Sequence, residues 1–282
     1  MLSEGILLGL AAALGWGIAD FFAKIAATRE KNYLPIHISA FCGFLIILLY
    51  DYFFPPENYP FLTILPEIAP VAFLMAFGWW LFYLALQRGK VSVISTIGGS
   101  YGLITLLLAM IFLGEAPSPI QILGALILIA SVFSLSLQNL DLKKTAFDKD
   151  ALLAVGAMVC WGVAMVMLVP FAKAYPPQVT VLSHTFFSFI ITTLLVISSG
   201  RRLLPSRISN LLPSILASTD AIGLVFYYIA AATFFTSLLA PISSIYPIFT
   251  VILAYLFLKE RLEKHQLISV FLILLGIFLI SW

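Results

Sequence analysis

Ten apolar stretches of about twenty residues each, joined by short polar loops, run through this chain from end to end. They cover roughly 4–26, 34–54, 63–87, 91–113, 118–138, 150–172, 177–198, 211–234, 237–258 and 264–282. A helix needs about twenty mostly apolar residues to cross the hydrocarbon core of a bilayer. The short alternating segments of a membrane β-barrel are absent from the sequence. Hydrophobic residues make up 62% of the chain and charged ones 10%, against about half and about a quarter in a soluble domain. A water-soluble core cannot hide that surplus, so lipid must be the solvent. The expected fold is an all-α integral membrane protein with ten transmembrane helices and the lipid bilayer as its partner. A net charge of +2 gives no reason to expect nucleic acid. Cys42 and Cys160 both fall inside apolar stretches and read as packing residues rather than a disulfide. No metal-ligand spacing is visible, and no cofactor is expected. The opening segment MLSEGILLGL lacks a basic n-region and the first stretch carries Asp20 and Lys24, so a cleaved signal peptide is not expected.

The chain matches itself at a shift of 145 positions. Trp16-Gly17 falls on Trp161-Gly162, Tyr83 on Tyr228, Ala85 on Ala230, Tyr101 on Tyr246, Thr105 on Thr250 and Ala109 on Ala254. Phe112-Leu113 meets Phe257-Leu258, Glu115 meets Glu260 and Gln121 meets Gln266, all without a gap. One such match means little, but a set at one constant offset indicates duplication. Each half, 1–140 and 146–282, then holds five helices. Five is odd, so the halves must lie in opposite orientations. That is the inverted-repeat plan of secondary transporters, whose substrate site lies near the membrane midplane between the halves.

Charge agrees with the ten-span reading. The loops after the odd-numbered spans hold thirteen of the fifteen basic residues. The opposite side holds Lys173 together with Glu4, Asp51, Glu57, Glu67 and Glu115, and Lys24 lies within the first span. By the positive-inside rule the loops after spans 1, 3, 5, 7 and 9 are cytoplasmic in the cell membrane, and both termini face outward.

These residues carry a resemblance. Trp-Gly in the first helix of each half, and FLGE and FLKE closing the fourth and ninth helices, resemble the drug/metabolite transporter superfamily, and within it the EamA-like exporters. The likeness covers essentially the whole chain. It implies export of amino acids, other small metabolites or drugs, with relatives that carry nucleotide sugars or sugar phosphates. It also implies a central cavity lined by helices 1–4 and 6–9, with helices 5 and 10 peripheral. Many of the relatives it implies have both termini inside, opposite to the charge-based reading.

The segment GGSYG, Gly98 to Gly102, matches the G-x-S-x-G pattern of a hydrolase nucleophile elbow with Ser100 as nucleophile. The elbow requires a strand-to-helix turn, and this segment lies inside the fourth span. Its mate is SSIYP, Ser243 to Pro247, which repeats the tyrosine but places Ile245 opposite Ser100. Gly102 falls opposite Pro247, so a paired hinge in helices 4 and 9 is expected at these two residues. Tight helix packing is the plainer reading of the glycines.

The remaining candidates are weighed against ordinary packing. Trp16 and Trp161 sit at mid-span, where a tryptophan is no interfacial anchor, and suit a cavity wall or a packing seam. Tyr83, Tyr228 and the nearby Trp79 would gate or grip a substrate, or belong to an aromatic belt. Asp20 and Lys24, spaced i, i+4, can pair on one helix face, and Lys24 can snorkel. Asp220 lies near the centre of the eighth span, and His184 in the seventh is its candidate partner. Ser100, Tyr101, Ser243 and Tyr246 complete the substrate-binding candidates. Glu115 and Glu260 are taken to position loops.

Phosphorylated cargo needs Arg or Lys to hold it, and the spans contain no arginine and one deep lysine, Lys24. The polar groups on hand suit neutral, zwitterionic or cationic small molecules. Amino acids are favoured by the resemblance. The alternatives are a multidrug or organic-cation exporter, a nucleotide-sugar or sugar-phosphate carrier, and, from a different class, a membrane-embedded hydrolase using Ser100. A non-enzymatic carrier working by alternating access is the expected function, with Asp20 or Asp220 as a group for proton coupling.

Overall fold

The computed structural model describes residues 2–30, 33–57, 60–136, 149–198, 208–259 and 264–282. Every α or β element among them is a helix. In chain order these are α1 (Leu2–Arg29), α2 (Leu34–Phe53), α3 (Phe61–Leu86), α4 (Val91–Gly99), α5 (Tyr101–Phe112), α6 (Pro119–Ser136), α7 (Lys149–Met167), α8 (Val169–Ala174), α9 (Pro177–Ser198), α10 (Leu211–Leu216), α11 (Thr219–Ala231), α12 (Thr236–Ser243), α13 (Pro247–Leu258) and α14 (Lys264–Ile280). Only helices and closed barrels satisfy every backbone group without water.

Several of these helices join into single membrane-crossing segments. Eight segments are long and apolar enough to cross a bilayer: α1, α2, α3, α4–α5, α7–α8, α9, α10–α11 and α12–α13. The stretches expected at 118–138 and 264–282 form α6 and α14, whose apolar portions, Pro119–Val132 and Phe271–Ile280, are shorter. Large apolar side chains such as Leu62, Ile111, Phe112, Phe257 and Phe271 stand on the outside, where a soluble protein would not tolerate so many together. The two cysteines are free thiols.

Packing pairs elements from the two halves of the chain. α1 lies on α11, α3 on α7, α2 on α9 and α6 on α14. The α2–α9 seam is aromatic: Phe41 meets Phe189 at 5.3 Å and Phe44 meets Phe186 at 5.8 Å between ring centroids. α6 and α14 cross where Gly124 and Gly276 let the backbones touch; a Cβ on either would fall 2.7 or 2.9 Å from the other's carbonyl oxygen. Small residues serve this purpose in membranes, where no hydrophobic force draws helices together.

α4–α5 and α12–α13 are each interrupted at mid-length. The first break is at Ser100, with φ −68° and ψ 2°. Ser100 and Leu103 are reached by bonds closing over three residues, a locally tightened turn. The second break covers 244–246, bridged by the bonds from Tyr246 N to Ser243 O and Ile248 N to Ile245 O. The interruptions therefore fall just ahead of the residues expected as hinges. Pro247 opens α13, a first-turn position where its missing N–H costs no helical bond. Gly102 lies in the first turn of α5. The glycines also sit at a crossing: a Cβ on Gly99 would lie 2.6 Å from Pro247 Cγ, and one on Gly102 2.8 Å from Ser244 Oγ. The eighth span also breaks, at 217–218, so Asp220 stands in the first turn of α11 rather than at the middle of a continuous helix.

Candidate functional site

Two adjoining chambers open between the helices and share Trp79, His184 and Asp220 in their walls. With the space open to their surroundings included, the inner chamber spans about 400 Å³ and the outer one about 630 Å³. The outer chamber lies between the C-terminal part of α1 (Ala23, Ala26), the start of α2 (Pro35, Ile36), α9 (Thr185, Ser188, Thr192) and the start of α11. It leads toward the end of the molecule that carries the α1–α2 loop.

The inner chamber is lined in matched pairs. Trp16 and Trp161, Asp20 and Met165, Met75 and Asp220, Trp79 and Leu224, and Tyr101 and Tyr246 all face it, each pair 145 positions apart. His184 is the one further lining residue. Its counterpart, Ser39, lines the outer chamber.

The backbone beside the chamber is arranged in pairs too. A Cβ on Gly17 would lie 2.7 Å from Tyr246 O, and one on Gly162 would lie 3.2 Å from Tyr101 O. Thr250 Oγ1 donates to Gly17 O at 3.1 Å, and Thr105 Oγ1 donates to Gly162 O at 3.0 Å. The repeated Trp-Gly thus has a local cause. The glycine admits the neighbouring broken helix, a threonine on that helix fastens the contact, and the tryptophan before it reaches the chamber.

Asp20 accepts a hydrogen bond from Ser95 Oγ at 2.5 Å, and Ser95 Oγ lies 3.4 Å from Thr250 Oγ1. Tyr246 OH donates to Ser95 O at 3.1 Å. Lys24, the expected i, i+4 partner of Asp20, turns its ammonium to the carbonyls of Leu86 and Gly89, at 2.9 and 2.6 Å. Two carbonyls at the end of α3 offer Nζ a ready partner, while Asp20 points inward, so the expected pairing gives way. Asp220 is within hydrogen-bond reach of the Trp79 indole. His184 is buried and its Nδ1 has no hydrogen-bond partner among the described residues. It shares the chamber wall with Asp220.

Of the sequence candidates, Trp16, Asp20, Trp79, Tyr101, Trp161, His184, Asp220 and Tyr246 come together at the inner chamber. Tyr83 lines the outer one. Ser243 sits behind the wall and holds Tyr101 OH at 2.7 Å. Tyr228 is fully buried away from both chambers. Ser100 is buried as well; its hydroxyl bonds its own helix at Thr96 O, 3.1 Å away. It lines neither chamber, so no serine–histidine pair forms with His184. Glu115 accepts from the backbone N–H groups of Thr236 and Ser237 at 2.9 and 2.7 Å and so caps α12 from the loop after α5. Glu260 lies outside the described residues, as does the side chain of Gln266. Met75, Met165, Leu224 and Ser95 were missed as site residues. The repeat itself held the signal for the first three, each being the counterpart of a candidate.

The model of the EamA-like transporter family matches this chain twice, over residues 3–137 and 149–282. An uncharacterized protein of Methanocaldococcus jannaschii is 32% identical over 143 residues, which is 49% of this chain and 100% of that protein. The uncharacterized transporter YvbV of Bacillus subtilis is 27% identical over 134 residues, 45% of this chain and 42% of that one. A solved crystal structure shares the fold with a TM-score of 0.75 at 17% identity, covering 98% of this chain and 96% of its own. With the family matched over nearly all its length, on a helical membrane fold that encloses a cavity, the chain belongs to the EamA-like transporter family.

Proposed function

We propose that the protein is a secondary transporter that moves small zwitterionic or cationic metabolites, amino acids among them, through the paired chambers by alternating access. The observation that carries the reading is the inner chamber itself. Ten of its lining residues come in pairs at one offset, five from each half of the chain. The halves, 1–140 and 146–282, would be inverted repeats of five spans each, giving ten in all. Exchanged packing partners support this, since α1 on α11 mirrors α7 on α3. So do the breaks at equivalent places in α4–α5 and α12–α13. Discontinuous helices at the repeat interface are where transporters hold their cargo.

Substrate would touch the tryptophans and tyrosines of the inner chamber, with Asp20, Asp220 and His184 as its polar contacts and Tyr83 at the approach. Transport would proceed by rocking of the two halves, with α4–α5 and α12–α13 flexing near Ser100 and 244–246. A proton on Asp20 or Asp220 would couple the cycle to a gradient. With the basic loops cytoplasmic in the cell membrane, the outer chamber opens to the cytoplasm.

Counterflow in proteoliposomes tests this reading. Vesicles are loaded with amino acids, then with polyamines and organic cations, and labelled tracer is added outside. Saturable tracer accumulation, abolished by Asp220→Asn or Trp16→Ala, is the expected result. No accumulation of any tracer by folded protein would overturn it.

A further inference from the structure

Asp20 and Asp220 face one chamber. No lysine or arginine lines either chamber. Lys24 lies one turn beyond Asp20 on α1 but gives its ammonium to the Leu86 and Gly89 carbonyls. The groups facing the two acids are Ser95 from α4, the Trp79 indole from α3, His184 from α9 and the aromatic walls. His184 is 3% exposed, and its Nδ1 has no hydrogen-bond partner among the described residues.

Neither acid recurs at its equivalent position in the other half. Met165 occupies the position equivalent to Asp20, and Met75 the one equivalent to Asp220. All four residues face the same chamber, so the fold accommodates an uncharged side chain at both kinds of position. Ser95, which holds Asp20, has Ala240 as its counterpart. A membrane-buried acid is costly and marks function. Two of them facing one chamber, with no lysine or arginine in its wall, suit a positive charge between them.

We propose that the inner chamber takes an organic cation without a carboxylate, a protonated amine on an aromatic or apolar body. The ammonium sits between Asp20 and Asp220. The body lies against Trp16, Trp161, Tyr101 and Tyr246, whose ring faces attract cations. This rests on the carrier reading above and narrows it. An amino acid would bring a carboxylate to two acids with no cationic side chain to receive it.

Matched pairs that differ by one carboxylate test the proposal: labelled tryptamine against tryptophan, and phenylethylamine against phenylalanine. Binding is measured on the full chain in lipid nanodiscs, and counterflow in proteoliposomes. Each amine should bind at least about tenfold more tightly than its amino acid. Asp20→Asn and Asp220→Asn should each weaken amine binding about tenfold or more. Asp20→Met and Asp220→Met, which copy the equivalent positions, serve if the asparagine variants misfold and should weaken it as much. Equal binding of amine and amino acid overturns the proposal, as does amine binding that survives both methionine substitutions together. Counterflow of amino acids but not amines overturns it and leaves the carrier reading standing. Acid-dependent amine binding without counterflow of any tracer supports the cation site and removes the carrier reading.

Discussion

Trp16 lays the edge of its indole across the backbone of Gly223. A Cβ at Gly223 would fall 2.6 Å from Trp16 Cδ1 and 2.7 Å from Nε1. The same contact recurs in the other half of the pairing, where a Cβ at Gly78 would fall 2.6 Å from Trp161 Nε1 and 2.8 Å from Cδ1. Gly78 and Gly223 are themselves 145 positions apart. Each tryptophan is thus held from behind by a glycine of a helix from the opposite half. Its other edge meets the chamber, where Trp16 lies 6.2 Å from Tyr101 and 6.3 Å from Tyr246 between ring centroids.

Alanine at 223 should push the Trp16 ring into the chamber. Neither side can yield cheaply, because Gly223 also has the Ala12 carbonyl within 3.0 Å of that Cβ position. Overpacking of this kind costs about 1–3 kcal/mol. Gly223→Ala and Gly78→Ala are each expected to lower the melting temperature and to cut transport by about tenfold or more. Trp16→Phe in the Gly223→Ala background should recover stability, since the smaller ring vacates the contested space. Thermal unfolding and counterflow rates measure the two effects separately.

Glu115 is expected to hold the start of α12, the helix whose Ser243 backs the chamber wall. Its carboxylate takes both N–H groups at the start of α12, and an anion there is favoured by the helix dipole as well. Charge-assisted bonds of this kind are worth about 1.5–3 kcal/mol. Glu115→Ala should therefore loosen α12 and expose the wall that Ser243 backs. The measurement is the labelling rate of a cysteine at Ser243 by a membrane-impermeant thiol reagent, with Cys42 and Cys160 replaced by alanine. The rate should rise several-fold over the same protein with Glu115 intact. An unchanged rate would show that the carboxylate merely orders a loop.

How much of this was legible beforehand follows from the kind of force involved. Hydrophobic runs set the helices, because backbone groups in lipid must bond within their own segment. The fixed offset brought out the chamber walls, because duplicated helices reuse the same inward positions. Trp16, Trp161, Tyr101 and Tyr246 were found that way. Gly78 and Gly223 were not, since a glycine's role in close approach depends on what crosses it. Gly102 and Pro247 read as hinges because both are helix disruptors; each helix is interrupted just before them, Gly102 lies at a crossing and Pro247 opens α13. Spacing alone lets Lys24 pair with Asp20, but the carbonyls at the end of α3 that take its ammonium lie far off in sequence.

Ser95 and Ser100 of the α4–α5 segment separate positioning from mere presence. Ser100 bonds a carbonyl of its own helix, so Ser100→Ala should leave transport within about twofold of the parent. Ser95 bonds Asp20, so Ser95→Ala should reduce transport about tenfold, the loss expected for one charge-assisted bond. The alanine at the equivalent position 240 argues that this variant still folds. Counterflow on both variants, normalised to monodisperse protein, gives the comparison.

The two threonines offer the sharpest test of how far the halves have diverged. Thr105 and Thr250 make equivalent bonds to Gly162 O and Gly17 O. Interhelical bonds of this type in membranes are worth about 0.6 kcal/mol. Valine keeps the shape and removes the hydroxyl, so Thr105→Val and Thr250→Val should lower stability by similar, small amounts. Transport should not follow the same symmetry. Thr250 stands 3.4 Å from the Ser95 hydroxyl that holds Asp20, whereas the methionine equivalent to Asp20 gives Thr105 no acid to influence. Thr250→Val is therefore expected to slow counterflow severalfold, and Thr105→Val to leave it near the parent rate. Equal losses in both variants would mean that the threonines act only as fasteners, and that Asp20 does not depend on the network beside it.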